Sequence, residues 1–223
     1  MSVPVQHAAQ VRLGVRVEVF TVVWMVVEAV VSIGAGVLAG SLLLIAFGLD
    51  SVIELVSGGI LLWRLSVEAR GSTLERVERA EHRAAWVVAV SLALLCVYVL
   101  GSAIFGLVTQ EKPESSLVGI VVSLAAVLVM PGLGITKRRI AARIDSGALR
   151  GDAASSFTCG YMAATVLVGL VLNALFHWWW AEDVAAFVFL FWLVQEAREA
   201  LEEAREAGEH KEGEGQELRK EER

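Results

Sequence analysis

The sequence predicts an all-α, polytopic membrane protein with six transmembrane helices. Three observations predict it. First, 56% of the 223 residues are hydrophobic, above the ~45–50% usual in soluble domains. Second, the apolar residues fall in long blocks, each near the ~20 residues that a helix needs to cross a bilayer. Third, Lys and Arg collect in alternate connections between those blocks. A backbone in lipid must satisfy its own hydrogen bonds, which makes such blocks helical.

The first span is expected at about 15–39 and the second at about 42–65. The third is expected at about 84–108, the fourth at about 117–135, the fifth at about 149–176 and the sixth at about 178–194. Arg12 and Arg16 precede the first. Arg64, Arg70, Arg76, Arg79 and Arg83 lie between the second and third. Lys137, Arg138, Arg139, Arg143 and Arg150 lie between the fourth and fifth. The other connections hold Lys112 as their only cation. The positive-inside rule then expects a multi-pass cell-membrane protein with both termini cytoplasmic. Trp178, Trp179 and Trp180 read as an aromatic anchor at the opposite interface.

Residues 1–10 read as a cytoplasmic tail, 11–197 as the six-helix domain, and 198–223 as a charged cytoplasmic helix and disordered tail. Arg198, Glu202 and Arg205 have helical spacing, so helix is expected to continue into water. After Gly208 the composition reads as disordered. No removable signal peptide is read at the N-terminus. Gly36 with Gly40, and Ser102 with Gly106, have the small-xxx-small spacing of close helix contacts. Pro131 is expected to kink the fourth span. Cys96 and Cys159 lie in apolar blocks, which argues against a disulfide.

Several function classes are disfavoured. No basic stripe with aromatics points to nucleic acid. No GxxxxGK[ST] loop is present for a nucleotide. No nucleophile–base constellation points to an enzyme.

The intramembrane acids carry the functional reading. Asp50 and Glu54 interrupt the second apolar block four residues apart, on one helix face. Each costs about 2.5–3.5 kcal/mol at a helix centre, so that face must look into the bundle. Counting rise per residue, Asp50 lies about 13 Å in from Ser41, and Glu54 about 15 Å from Arg64. Cys159 and Glu28 reach similar depth from Arg150 and Arg16, about 13 and 18 Å. Asp152, Ser155 and Cys159 share a face of the fifth span, with Asp152 nearer the cytoplasm. No Lys or Arg is expected at that depth to pair with these acids, which leaves a cation or a proton. Carboxylate with thiolate suits a divalent metal such as zinc. Glu28 reads either as a ligand or proton carrier or as a helix-packing hydrogen-bond acceptor, and Asp152 either as a ligand or as a helix cap. Cys159 reads either as a ligand or as a small buried hydrophobe. Glu18 is expected to snorkel at the interface, and Cys96 to pack in the core. His7, His82, His177 and His210 fall in tails or loops and are expected at the surface.

Two stretches carry a resemblance. "SLLLIAFGLDSVIELVSGGILLWRL" resembles the second helix of the cation diffusion facilitator family, and "SGALRGDAASSFTCGYMAATVLVGLVLNALFHWWWAEDVAAF" is similar to its fifth and sixth helices. The likeness covers about 11–199 and is nearest to a short branch without the usual cytoplasmic metal-binding domain. It implies proton-coupled export of a divalent cation (zinc, iron, manganese or cobalt) by a homodimer in the lipid bilayer. It also implies a tetrahedral metal site. Asp50 and Glu54 match the second-helix pair of that site. Ser155 and Cys159 stand where His and Asp are common, and Glu28 or Asp152 is expected to make up the deficit. A membrane protein that binds metal as a regulator or scaffold, without transporting it, is the alternative.

Overall fold

The computed structural model describes residues 3–69, 75–110, 113–144, 147–178 and 180–221. Six helices follow in order: α1 (Val3–Ala39), α2 (Leu42–Ala69), α3 (Glu75–Thr109), α4 (Leu117–Ile144), α5 (Gly147–Phe176) and α6 (Ala181–Glu221). The helices close a ring in the order α1, α2, α3, α6, α5, α4, and α2 also reaches across it to α5 and α6. A helix stands at each of the six expected spans. Their helices run further, because charged turns beyond the apolar blocks are good helix formers.

Each boundary has a local cause. Gly40 has φ +67° and ends α1, and the Ser41 N–H returns to the Gly36 carbonyl at 2.9 Å. This is a Schellman cap, which needs a left-handed residue after the helix. Gly40 therefore serves the turn and not helix packing, since a Cβ there would meet nothing. Ser41 then caps α2 by accepting the Leu44 N–H at 3.2 Å, and Ser116 caps α4 through the Gly119 N–H at 3.0 Å. Glu182 and Asp183 sit in the first turn of α6, where the helix dipole favours negative charge. Trp178 and Trp180 stack in the turn before α6, so they precede the sixth helix instead of opening it. Trp179 lies outside the described residues.

Among the described residues, five helices contain stretches long and apolar enough to cross a membrane: 12–39, 42–63, 86–109, 117–144 and 149–176. In α6 the apolar run between Asp183 and Glu196 is shorter than the hydrocarbon core. Its acids turn inward instead. Glu182 is buried, and Glu196 is partly buried on the same stripe as Ala185, Ala186, Phe189 and Leu193. α6 also continues as helix to Glu221, past Gly208, where composition alone suggests disorder. The Glu, Lys, Gln, Leu and Arg of that segment are good helix formers and sustain it.

Close packing of α1 on α2 rests on Gly36 and Gly48. A Cβ on Gly48 would come within 2.7 Å of Ile33 Cγ1 and 2.9 Å of its backbone nitrogen. The main core draws on all six helices around Phe47, Met130, Met162 and Phe189. A smaller apolar cluster of Leu61, Ile140, Ala141, Ile144 and Leu149 closes the end where α4 carries its arginines. Cys96 packs against the main core, and both cysteines are free, as expected. Gly48→Ala should lower stability by about 1–3 kcal/mol through overpacking. Gly59→Ala, with nothing near its Cβ, should leave it unchanged or raise it by up to about 1 kcal/mol. Thermal unfolding in detergent measures both.

Candidate metal centre

α2 turns a stripe of Leu43, Phe47, Asp50, Glu54 and Gly58 into the bundle. The three- and four-residue steps keep these positions on one helix face. Asp50 is 0% exposed and Glu54 7%. Both Asp50 oxygens and Glu54 Oε2 are buried without a hydrogen-bond partner. A buried polar group left unpaired costs about 1–3 kcal/mol, and more if charged. The fold therefore retains acceptors that it does not itself satisfy.

The third member comes from α6. One ligand oxygen each from Asp50, Glu54 and Glu196 lie within 4.8 Å of one another. Ser155 of α5 joins them: its Oγ is 2.7 Å from Glu54 Oε1 and 3.2 Å from Glu196 Oε1. The hydroxyl has one proton, so it donates to only one of these acceptors at a time. Three carboxylates this close repel one another strongly outside bulk water. A cation or protons are needed to balance them. The chemistry available is oxygen ligation of a dication, with a serine hydroxyl at its edge.

Glu28 and Cys159 form the adjoining layer. Glu28 Oε1 accepts from Ser51 Oγ at 2.7 Å and from the Cys159 thiol at 3.7 Å, and Oε2 accepts from Trp24 Nε1 at 2.8 Å. Its oxygens are engaged by donors from α1, α2 and α5. In this arrangement the helix-packing acceptor reading of Glu28 is the one with visible partners. Cys159 is fully buried and turns its thiol to Glu28.

Asp152 is placed elsewhere. Lys137, fully buried, pairs with Asp152 Oδ2 and lies 3.2 Å from Glu18 Oε2. This corrects the expectation for Glu18 and gives Asp152 a cation partner. Lys137, expected in the connection after the fourth span, lies within α4, which runs to Ile144 and carries it inside. Glu18 does not snorkel; it is 0% exposed, since Lys137 gives it an internal partner. His177 is exposed, as expected, at the end of α5 with φ 54°. The side chains of His7, His82 and His210 lie outside those described.

A further buried network lies at the other end of the bundle. Glu182 accepts from Ser41 Oγ and, at 2.8 Å, from Asn173 Nδ2, which also reaches the Pro113 carbonyl at 3.0 Å. It ties α2, α5 and α6 to the connection before α4.

Glu196 is the residue that sequence reasoning missed. The apolar run ends at Val194, so "EAREALEE" reads as the start of a solvated tail. Helical spacing held the signal, because Glu182, Ala185, Phe189, Leu193 and Glu196 continue one stripe.

A ring of long helices, five of them apolar enough to cross a membrane among the described residues, around inward-facing carboxylates defines a multi-pass membrane protein. The family model for the cation efflux transmembrane domain matches residues 19–207. The chain therefore belongs to the cation efflux family, membrane transporters whose substrates are metal cations. No curated protein matches the sequence closely enough to count as a relative.

Glu28→Ala should leave the Trp24, Ser51 and Cys159 donors without their acceptor, at about 1–3 kcal/mol for each well-buried donor. Glu28→Gln retains an acceptor oxygen and should recover much of that loss. Chemical unfolding in detergent, without metal, distinguishes the two.

Proposed function

We propose that this protein exports a divalent transition metal from the cytoplasm in exchange for protons, with Asp50, Glu54 and Glu196 as ligands. The observation that carries the reading is the convergence of three carboxylates from α2 and α6 whose buried oxygens lack partners. Ser155 completes or orients the set, and Cys159 and Glu28 support it from the next layer. Zinc, iron(II), manganese and cobalt are the candidate substrates. Oxygen-rich ligation favours the harder ions among them, and Cys159 favours zinc. Asp152, paired with Lys137, acts beside this site instead of within it.

Proton coupling follows from the ligands. A carboxylate must lose its proton to bind metal, so metal entry releases protons and protonation releases metal. Burial strengthens this competition by disfavouring an uncompensated charge. Alternating exposure of the site to the two sides then links opposite fluxes. The basic connections support cytoplasmic termini in a cell membrane, and the family likeness supports a homodimer.

Proteoliposomes holding a metal-sensitive dye test this. Zinc, iron(II), manganese and cobalt are supplied one at a time, with and without a pH gradient. The parent protein should move at least one of them faster with the gradient. Asp50→Ala and Glu196→Gln should each lower the rate at least tenfold. Parent-like flux in Asp50→Ala would sink the site assignment. Metal binding without flux would instead favour a regulatory role. Flux that ignores the pH gradient would exclude proton exchange.

A further inference from the structure

The buried Glu18–Lys137–Asp152 cluster lies outside the proposed ligand set and joins three helices. Lys137 of α4 lies 3.2 Å from Glu18 of α1 and pairs with Asp152 of α5. Glu18 and Lys137 are 0% exposed, and Asp152 is 19% exposed. One ammonium faces two carboxylates, and Glu18 Oε1 remains buried without a hydrogen-bond partner. α2 touches the cluster as well: a Cβ on Gly58 would lie 3.1 Å from Glu18 Oε1.

Position gives the cluster its meaning. Gly58 follows Glu54 by one turn on the inward stripe of α2. Asp152 precedes Ser155 by three residues on α5, and Ser155 contacts Glu54 and Glu196. The cluster thus lies about one helical pitch, ~5.4 Å, from the carboxylate site, toward the end bearing Arg138 and Arg139. Beyond it, Leu61, Ile140, Ala141, Ile144 and Leu149 pack with Val15 and Val17 into an apolar plug. An ion cluster in such a place adds little stability over apolar side chains of the same shape. It does favour one helix arrangement over others, because separating the helices leaves buried charges unpaired.

We propose that Glu18, Lys137 and Asp152 form an ion lock that closes the carboxylate site on its arginine-bearing side and must part for the site to open there. They are positioning residues: they set access and do not bind the transported ion. The proposal rests on reading Asp50, Glu54 and Glu196 as the transport site. Its test does not depend on metal, so the two can fail separately.

Cys159 reports on access from inside the protein. With Cys96→Ser it is the only cysteine. Membrane vesicles of both orientations are treated with a membrane-impermeant thiol reagent, without metal, and the labelling rate is measured from each face. Lys137→Gln should raise labelling at least tenfold from the face bearing Arg138 and Arg139, with no change from the other face. Lys137→Arg should keep the parent rate. Asp152→Asn, which leaves a one-to-one Glu18–Lys137 pair, should raise the rate from the same face by a smaller factor. It keeps the test decisive if Lys137→Gln does not fold. Unchanged labelling in folded Asp152→Asn, or an equal rise from both faces, would overturn the lock. A merely structural cluster would loosen the protein without preference for one side.

Discussion

The structure depends on one constraint: carboxylates buried in a membrane bundle must find partners inside it. Lipid offers no hydrogen bonds, and the cost of an unpaired acid falls on the fold. The chain meets the constraint differently at three levels. Glu182 is satisfied by Ser41 and Asn173, while Glu18 and Asp152 share Lys137. Between them, Asp50 keeps both oxygens unpartnered. Donors or a lysine at the two ends and unpartnered oxygens in the middle give the bundle a polar axis with a demand for positive charge at its centre.

Helix geometry makes this layering possible. Steps of three or four residues keep Asp50, Glu54 and Gly58 aligned on α2, and Asp152, Ser155 and Cys159 aligned on α5. Glycines then bring the helices close enough for short side chains to meet. Gly48 admits Ile33 and the α1 backbone, and Gly160 lies against Pro131. The ring order places α2 beside α5 and α6 across the interior, which lets Glu54, Ser155 and Glu196 share one site. α5 supplies a residue to the lock, the site and the Glu182 network, and α2 borders all three, so movement of α2 or α5 at one level bears on the others.

The legible parts of the sequence were those governed by local pattern. Apolar block length marked every helix, and intramembrane acids at helical spacing marked Asp50 and Glu54 as inward-facing. The illegible parts depended on partners distant in the chain. Lys137 looked like a loop cation because its own neighbours are Arg138 and Arg139; its burial depends on carboxylates from α1 and α5. Glu196 looked like the edge of a solvated tail because the apolar run stops before it. Gly40 matched a packing motif, yet the backbone reversal after α1 claimed it.

By itself, the sequence determined the number of helices, the apolar faces and the presence of buried acids, because hydrophobic length and helical periodicity act within single segments. Tertiary structure alone decided which acids meet one another. It placed Glu196 with Asp50 and Glu54, engaged Glu28 with Trp24, Ser51 and Cys159, and gave Asp152 to Lys137. Whether a buried carboxylate becomes a structural acceptor, half of an ion pair or a candidate ligand depends on the nearest donor or cation in space, and that neighbour is supplied by a different helix.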